Sequence, residues 1–421
     1  MNSPLESLFA QLSAIEHCSG GTQALRDFIC SHAPTTYYRV DVDSTGNVGF
    51  YAPDATVTLQ AHYDMVCMGS APAIDIIEES GWLKARNSSL GADNGIAVAL
   101  MLLLAQEKVC VNMLFTNDEE IGLVGARELQ LPIVTPNVLN LDSEEEGIVY
   151  IGCAGGVDVV IDKAFETSRI EGEFVRLSTQ GLIGGHSGVD IDKKITSATA
   201  LMASMIDAQS RLVSMVGGER RNAIAVSGAL TVSGRCEDFA HHSHILCTPV
   251  QSPQWVIEDE GVAQLFKALP HGVLTYDTLH TVVDTSANLA IVTIDENRAR
   301  FQLSLRSMRS AGLDEALEQV ASIANRWGAS MSASGRYEPW EAKPNPFATQ
   351  VEAIVRQTLG SVQSAVMHAG LECGILQQHA PNAYFASIGP TIEAPHSVHE
   401  RVERATVERF EILVRRIISA V

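Results

Sequence analysis

VTLQAH at 57–62, GIAVALMLLLA at 95–105, VNMLFTN at 111–117 and NVLNLD at 137–142 decide how the first third of the chain reads. The first, third and fourth are short apolar runs, each stopped by polar residues, and read as strands. The stretch 95–105 is too uniformly apolar for a surface helix and predicts a buried one. EIGLVGAREL (120–129) predicts a second helix. Strands alternating with helices in this order imply a parallel sheet with helices on its faces. In such sheets ligands collect at the carboxyl ends of the strands. A further helix is expected over 4–17, where Leu5, Leu8, Phe9 and Leu12 share one face.

The texture changes after about residue 170. EFVRLSTQG (173–181) predicts a strand, GLIGGHSG a Gly-rich turn, and 193–212 a helix. Strands follow at 223–232, 289–294 and 299–307, then a helix over 313–327. The stretch 236–256, with His241, His242 and His244, reads as an irregular solvated loop. The α/β texture resumes near Lys343: a helix over 347–359, strands in SAVMHAG and AYFASIG, and a final helix from Glu400. The expected organisation is an α/β catalytic domain, a mostly parallel sheet with helices on both faces, in two parts (1–170 and 343–421). A smaller α+β domain (171–342) interrupts it.

At 421 residues the chain exceeds one ordinary domain. With 46% hydrophobic and 19% charged residues it is globular rather than disordered. A net charge of −21 repels phosphate backbones, which argues against nucleic acid as a partner. The longest apolar run is about half of what a membrane-spanning helix needs, so no membrane association is expected. The first twenty residues lack a basic residue, unlike a secretory signal. Eight cysteines without a CxxC pair argue against a disulfide scaffold and against a thiolate zinc site. The expected setting is the reducing cytoplasm.

The informative residues sit where the predicted strands stop. His62 and Asp64 end the first; Asp93 precedes the apolar helix; Asp118, Glu119 and Glu120 end the second; Asp142 ends the third. His396 lies in a loop, APHS, after the AYFASIG strand. Singly, each has an ordinary role: a hydrogen-bonded strand end, a helix N-cap at Asp93, or acids favoured at a helix start. The acidic run 144–146 reads as solvated charge. Together they crowd one edge, and so many carboxylates repel one another unless cations neutralise them. Imidazole plus carboxylate without thiolate suits zinc, manganese or cobalt. Two such metals need a bridging carboxylate, for which Asp93 is the candidate.

At these residues the chain resembles the dinuclear zinc exopeptidases that include aminoacylase, carboxypeptidase G and the dipeptidases. Among them it is most similar to the aminoacyl-histidine (Xaa-His) dipeptidases of the peptidase D type. AHYDMVCMG, LGADNGIAVA, NDEEIGLVGA, LNLDSEEEG with IGCAGG, GLIGGHSGVDI, RNAI, TSANLA, LRS, MHAGLECG and SIGPTIEAPHS carry the resemblance, in family order. It implies a zinc ion on His62, Asp93 and Asp142, and a second on Asp93, Glu120 and His396, with cobalt or manganese as alternatives. It further implies Glu119 as general base and Asp64 as the residue that orients His62. The 171–342 domain resembles the family's lid and dimerisation domain, which implies a homodimer. There His186 would meet a substrate carbonyl, in its own subunit or across the dimer. Asn222 and Arg306 would hold the substrate's carboxylate or carbonyl, although Arg306 could equally form a salt bridge. Glu372 would pair with a free amine or be an exposed helix-start acid. The chain departs from the family in reading HSVHE, with His399, where HSPDE is usual, and in Ala225 after RNAI.

The expected function is metal-dependent hydrolysis of dipeptides, either Xaa-His-like or broad in specificity. An aminoacylase-type or other small-amide metallohydrolase is the alternative. A catalytically silent binding protein is the third reading, disfavoured because no expected ligand or base is missing.

Overall fold

Every residue of VTLQAH is buried, because this strand lies inside an eight-stranded sheet. In the computed structural model, which describes residues 3–239, 242–277 and 282–421, β1 (Val57–His62) is flanked by β2 (Asn112–Thr116) and β3 (Asn137–Asn140). It is parallel to both. The strand β4 (Tyr384–Ser387) extends this parallel centre beyond β3. Outside it the pairing turns antiparallel: Val48–Tyr51 joins β2, Arg39–Val42 joins that strand, and Ile148–Cys153 meets β4. The sheet is therefore mixed, with the expected parallel strands as its middle.

The apolar run forms α1 (Ala92–Gln106), buried along nearly its whole length. Its Ile96, Leu100 and Leu104 have no exposed surface, and the same core takes Phe9 and Leu12 from the helix Pro4–Ser13. Ser3 and Glu6 close a reciprocal capping box at the start of that N-terminal helix.

The described residues form two compact units. The first comprises Met1–Cys153, Trp340–Val366 and Leu371–Val421; the second Ala154–Pro339 and Met367–Gly370. The second is built on a nine-stranded sheet. Gly155–Ala164 pairs with Arg298–Ser307 and Ser330–Tyr337. This pairing puts residues 154–170 with the second unit, where the sequence reading had them in the first.

Several expected elements change. The helix over 120–129 shrinks to Val124–Arg127, because Gly122 and Leu123 take positive φ. The helix over 193–212 is only Ala198–Ser204, stopped by a turn in which Asp207 accepts from Gln209 and Ser210. The strand over 223–232 breaks into Ala223–Ile224 and Gly228–Ser233. Within 236–256, expected to be irregular, lie Ile245–Val250 and Gln254–Ile257, strands paired with Phe174–Thr179 and Thr167–Ile170. His242 and His244 are exposed, while His241 lies outside the described residues. The last helix is Arg404–Ala420, beginning after Glu400. Cys18–Cys67 and Cys236–Cys247 are paired as disulfides, where the cysteine spacing argued against a disulfide scaffold. Partners 49 and 11 residues apart leave no local spacing signature. No described helix is long and apolar enough to cross a membrane.

Candidate metal centre

Parallel strands deliver their last residues to a common edge. His62 closes β1, Glu119 and Glu120 follow β2, and Asp142 follows β3. His62 Nε2 lies 3.1 Å from Asp93 Oδ1 and 3.3 Å from Asp142 Oδ1. His396 Nε2 lies 3.1 Å from Asp93 Oδ2 and 2.8 Å from Glu120 Oε1. Donor atoms of His62, Asp93 and Asp142 fall within 4.8 Å of one another, as do those of Asp93, Glu120 and His396. A third grouping joins His62, Glu119 and Glu120.

Each side chain is held from behind. Asp93 is not the helix N-cap, a place taken by Gly91; Asp93 and Asn94 leave the helical conformation and are joined by a cis peptide bond. Asn94 Nδ2 donates to Asp142 Oδ1 at 2.6 Å. The Asp64 carboxylate accepts the Glu119 N–H at 2.9 Å, the Glu120 N–H at 3.2 Å and the Ser19 hydroxyl at 2.7 Å. It also stands 3.4 Å from His62 Nδ1. One carboxylate thus fixes both the imidazole and the backbone of the Glu119–Glu120 turn. Asp118 turns away to accept the Gly20 N–H at 2.6 Å.

Burial and ion pairing compete in the electrostatics, and burial wins at Glu119, Glu120 and Asp142. It pushes Glu120 up to about 7 against the pull of His396, and lifts Asp142 despite His62. Glu119 is raised well above the usual carboxylate range by burial and then by Glu120. For His62, burial works toward the neutral form, but Asp142, Asp64 and Asp93 outweigh it and raise its pKa. Asp93 goes the other way: burial opposes ionisation, yet His396 and His62 hold it far below the usual range. Glu120 Oε1 is buried and makes no hydrogen bond, although His396 is 2.8 Å away. Carboxylates pushed toward protonation chiefly by burial, an unbonded buried oxygen and two imidazoles form a donor set that divalent cations fit.

The sequence reading missed two acids here. Glu144, taken as solvated charge, is raised by burial and then by Asp93, so it belongs to the field of the centre. Its neighbour Glu146 pairs with Arg409 at 2.6 Å. Glu400 accepts the N–H groups that open α1. The only sequence signal for either was proximity to a candidate ligand, Asp142 or His396.

Glu372, expected to meet a substrate amine or lie exposed, is not exposed: it has no accessible surface. Its Oε2 accepts from Gln60 Nε2 at 2.5 Å and Thr116 Oγ1 at 2.7 Å, on β1 and β2. In the second unit, pairing of Gly185–His186 with Ala223–Ile224 brings His186 beside the exposed Asn222. His186 Nδ1 accepts the Gly188 and Val189 N–H groups. Arg306 is 8% exposed, and its guanidinium donates to the Tyr337 hydroxyl rather than to a carboxylate, with Nε buried and unbonded.

Residues 58–420 match the profile of Peptidase family M20/M25/M40. The chain belongs to that family. It is a hydrolase, a metallo-exopeptidase. It is 30% identical to the cytosol non-specific dipeptidase of Escherichia coli strain K12, over 99% of this chain and 97% of that one. It is similar in structure to the aminoacylhistidine dipeptidase of Vibrio alginolyticus, with a TM-score of 0.80 and 29% identity, covering 100% and 97% of the two chains. Human carnosine dipeptidase 1, at 14% identity and a TM-score of 0.52 over 98% of each chain, shares the fold. The resemblance read from the motifs is thus found along the whole chain.

Proposed function

We propose that this metallopeptidase hydrolyses the peptide bond of dipeptides, of Xaa-His or broad specificity, at a dinuclear centre. His62, Asp93 and Asp142 would hold one metal, and Asp93, Glu120 and His396 the other. The observation that carries this is Asp93 itself: one carboxylate oxygen faces His62 and the other faces His396, each at 3.1 Å. The oxygen and nitrogen donors suit zinc, with cobalt or manganese as substitutes. When bound, the two cations would acidify a water and polarise the scissile carbonyl.

The chain's own groups do the rest. Glu119, whose burial favours a bound proton, takes one from the attacking water and returns it to the leaving amine. Asp64 keeps the Glu119 backbone and the His62 ring in place. Arg306, enclosed and with an unbonded Nε, is suited to a substrate carboxylate. Asn222 and His186 are assigned to substrate carbonyl groups; an oxyanion donor of this kind contributes roughly 2.7–4 kcal/mol. We further assign the chain to the cytoplasm, as the name of its E. coli relative indicates for that protein, and to a homodimer formed through the second unit.

A second reading has one observation in its favour. Glu372 is fully enclosed, so it does not supply the recognition of a free amine that separates dipeptides from N-acyl amino acids. A panel of Xaa-His and other dipeptides with N-acyl amino acids, run on zinc-, cobalt- and manganese-reconstituted protein, decides between the two. Elemental analysis should find two metals per subunit. A ratio near zero, with activity indifferent to chelators, overturns both readings.

A further inference from the structure

A carboxylate removed from water demands compensation, and Glu400 is 2% exposed. Its compensation is four backbone N–H groups from more than three hundred residues away. Oε2 accepts from Leu90 at 2.8 Å and Gly91 at 3.1 Å. Oε1 accepts from Ala92 at 2.7 Å and Asp93 at 3.3 Å. Three of them, from Gly91, Ala92 and Asp93, are donors that the start of α1 leaves without an intrahelical acceptor, and Leu90 directly precedes the cap. Gly91, in the cap position with φ 70°, has no side chain to serve them.

Two further features give this grip a purpose beyond capping. Asp93 and Asn94 depart from helical φ and ψ, so the regular ladder of α1 does not fix the Asp93 peptide. Glu400 also closes the turn that carries His396. Its N–H donates to Ser397 O at 3.2 Å, while Ser397 Oγ donates to Ala394 O at 2.8 Å and accepts the His399 N–H at 3.1 Å. Asp93 and His396 are therefore joined twice: through their facing atoms at 3.1 Å, and through Glu400.

We propose that Glu400 is a positioning residue for the metal centre, gripping the 90–93 peptides from the end of the His396 turn and so setting Asp93 and His396 relative to each other. The inference rests on the dinuclear reading above. Both oxygens are engaged by N–H groups, so Glu400 is a support and not a ligand. The cost of removing it should appear in metal affinity and coordination geometry, not only in stability.

The test is cobalt(II) titration of metal-free protein, with binding constants by chelator competition and the visible spectrum as a reading of geometry. Glu400→Gln keeps the shape and one acceptor oxygen but turns an amide toward two N–H groups. Cobalt affinity should fall by about 10- to 100-fold, with an altered spectrum. The control is Asn345→Ala, which removes the cap of the helix Pro346–Leu359, where Asn345 Oδ1 accepts the Ala348 N–H. It should lose stability but keep wild-type affinity and spectrum. A Glu400→Gln protein that binds two cobalt ions with wild-type affinity and spectrum overturns the proposal and leaves Glu400 a helix cap. If Glu400→Gln does not fold, amide exchange on the unaltered metal-free protein answers the question. Amides 91–93 should be protected before metal is added, and free exchange until it arrives refutes the proposal. Wild-type protein that binds no cobalt would refute the dinuclear reading instead.

Discussion

Replacing Glu372 by glutamine should make the metal-free protein more stable, and by an amount that depends on pH. The carboxyl is enclosed, with Oε2 accepting from Gln60 and Thr116 and Oε1 buried without a hydrogen bond. Burial is the chief cause of a pKa pushed up to about 7; Asp142 adds to it, while His62, Thr116 and Gln60 oppose it. In the unfolded chain the group releases its proton near 4.5. Between those two values the folded protein holds a proton that the unfolded chain has lost, so stability falls as pH rises. The slope is about 1.36 kcal/mol per pH unit for one proton. Across roughly 2.5 units the loss comes to about 3 kcal/mol: absent below about pH 4.5, complete above about pH 7. A glutamine oxygen can accept both existing hydrogen bonds, and the amide does not titrate. Urea unfolding in chelator should show Glu372→Gln about 3 kcal/mol more stable than the parent at pH 8, with the gap closing toward pH 4.5. A gap independent of pH, or a parent more stable at pH 8, would refute the argument.

Within the Glu119–Glu120 pair, Glu119→Gln should keep both metals while turnover drops by at least about 10²-fold, whereas Glu120→Gln should lose occupancy of one metal; the opposite metal contents would mean that the roles are exchanged. Mixing His186→Ala with Glu119→Gln subunits should restore part of the activity if His186 acts across a dimer. No restoration after full subunit exchange would place it in its own subunit's site or outside catalysis. Gly389→Ala should cost about 1–3 kcal/mol and weaken metal binding, since the added methyl would lie 1.5 Å from Ser143 O, next to Asp142; unchanged unfolding and cobalt titration curves would contradict it.

The middle of the first unit could be read from the chain because its signals are local. Apolar runs mark β1, β2, β3 and α1, and polar residues mark their ends. The hairpin Arg39–Val42 and Val48–Tyr51 went unread, since each strand is only four residues long and the hairpin joins the sheet through the distant Asn112–Thr116. Residues 154–170 were assigned to the wrong unit for the same reason: Gly155–Ala164 is defined by strands beginning at Arg298 and Ser330. At the centre, motif residues could be picked out together with Asp64, which backs His62, but the other supports could not. Glu400 looked like the start of a helix, Glu144 like surface charge and Glu372 like a partner for a substrate amine or an exposed helix-start acid. A buried acid is recognised by what surrounds it, and those neighbours lie up to more than three hundred residues away.

The two units share one polypeptide unevenly, and this gives the centre a history during synthesis. His62, Asp93, Asp142 and the Glu119–Glu120 pair all lie before Cys153, ahead of the long segment Ala154–Pro339. His396 and its Glu400 clasp come only in the last piece, Leu371–Val421. Domains generally fold as units, and this one is not complete until its last segment has left the ribosome. A nascent chain stalled before residue 396 therefore carries His62, Asp93 and Asp142 but lacks both His396 and the Glu400 that grips the 90–93 peptides. Because Glu400 accepts the Asp93 N–H, the proposed centre can be completed only once the last segment has been made.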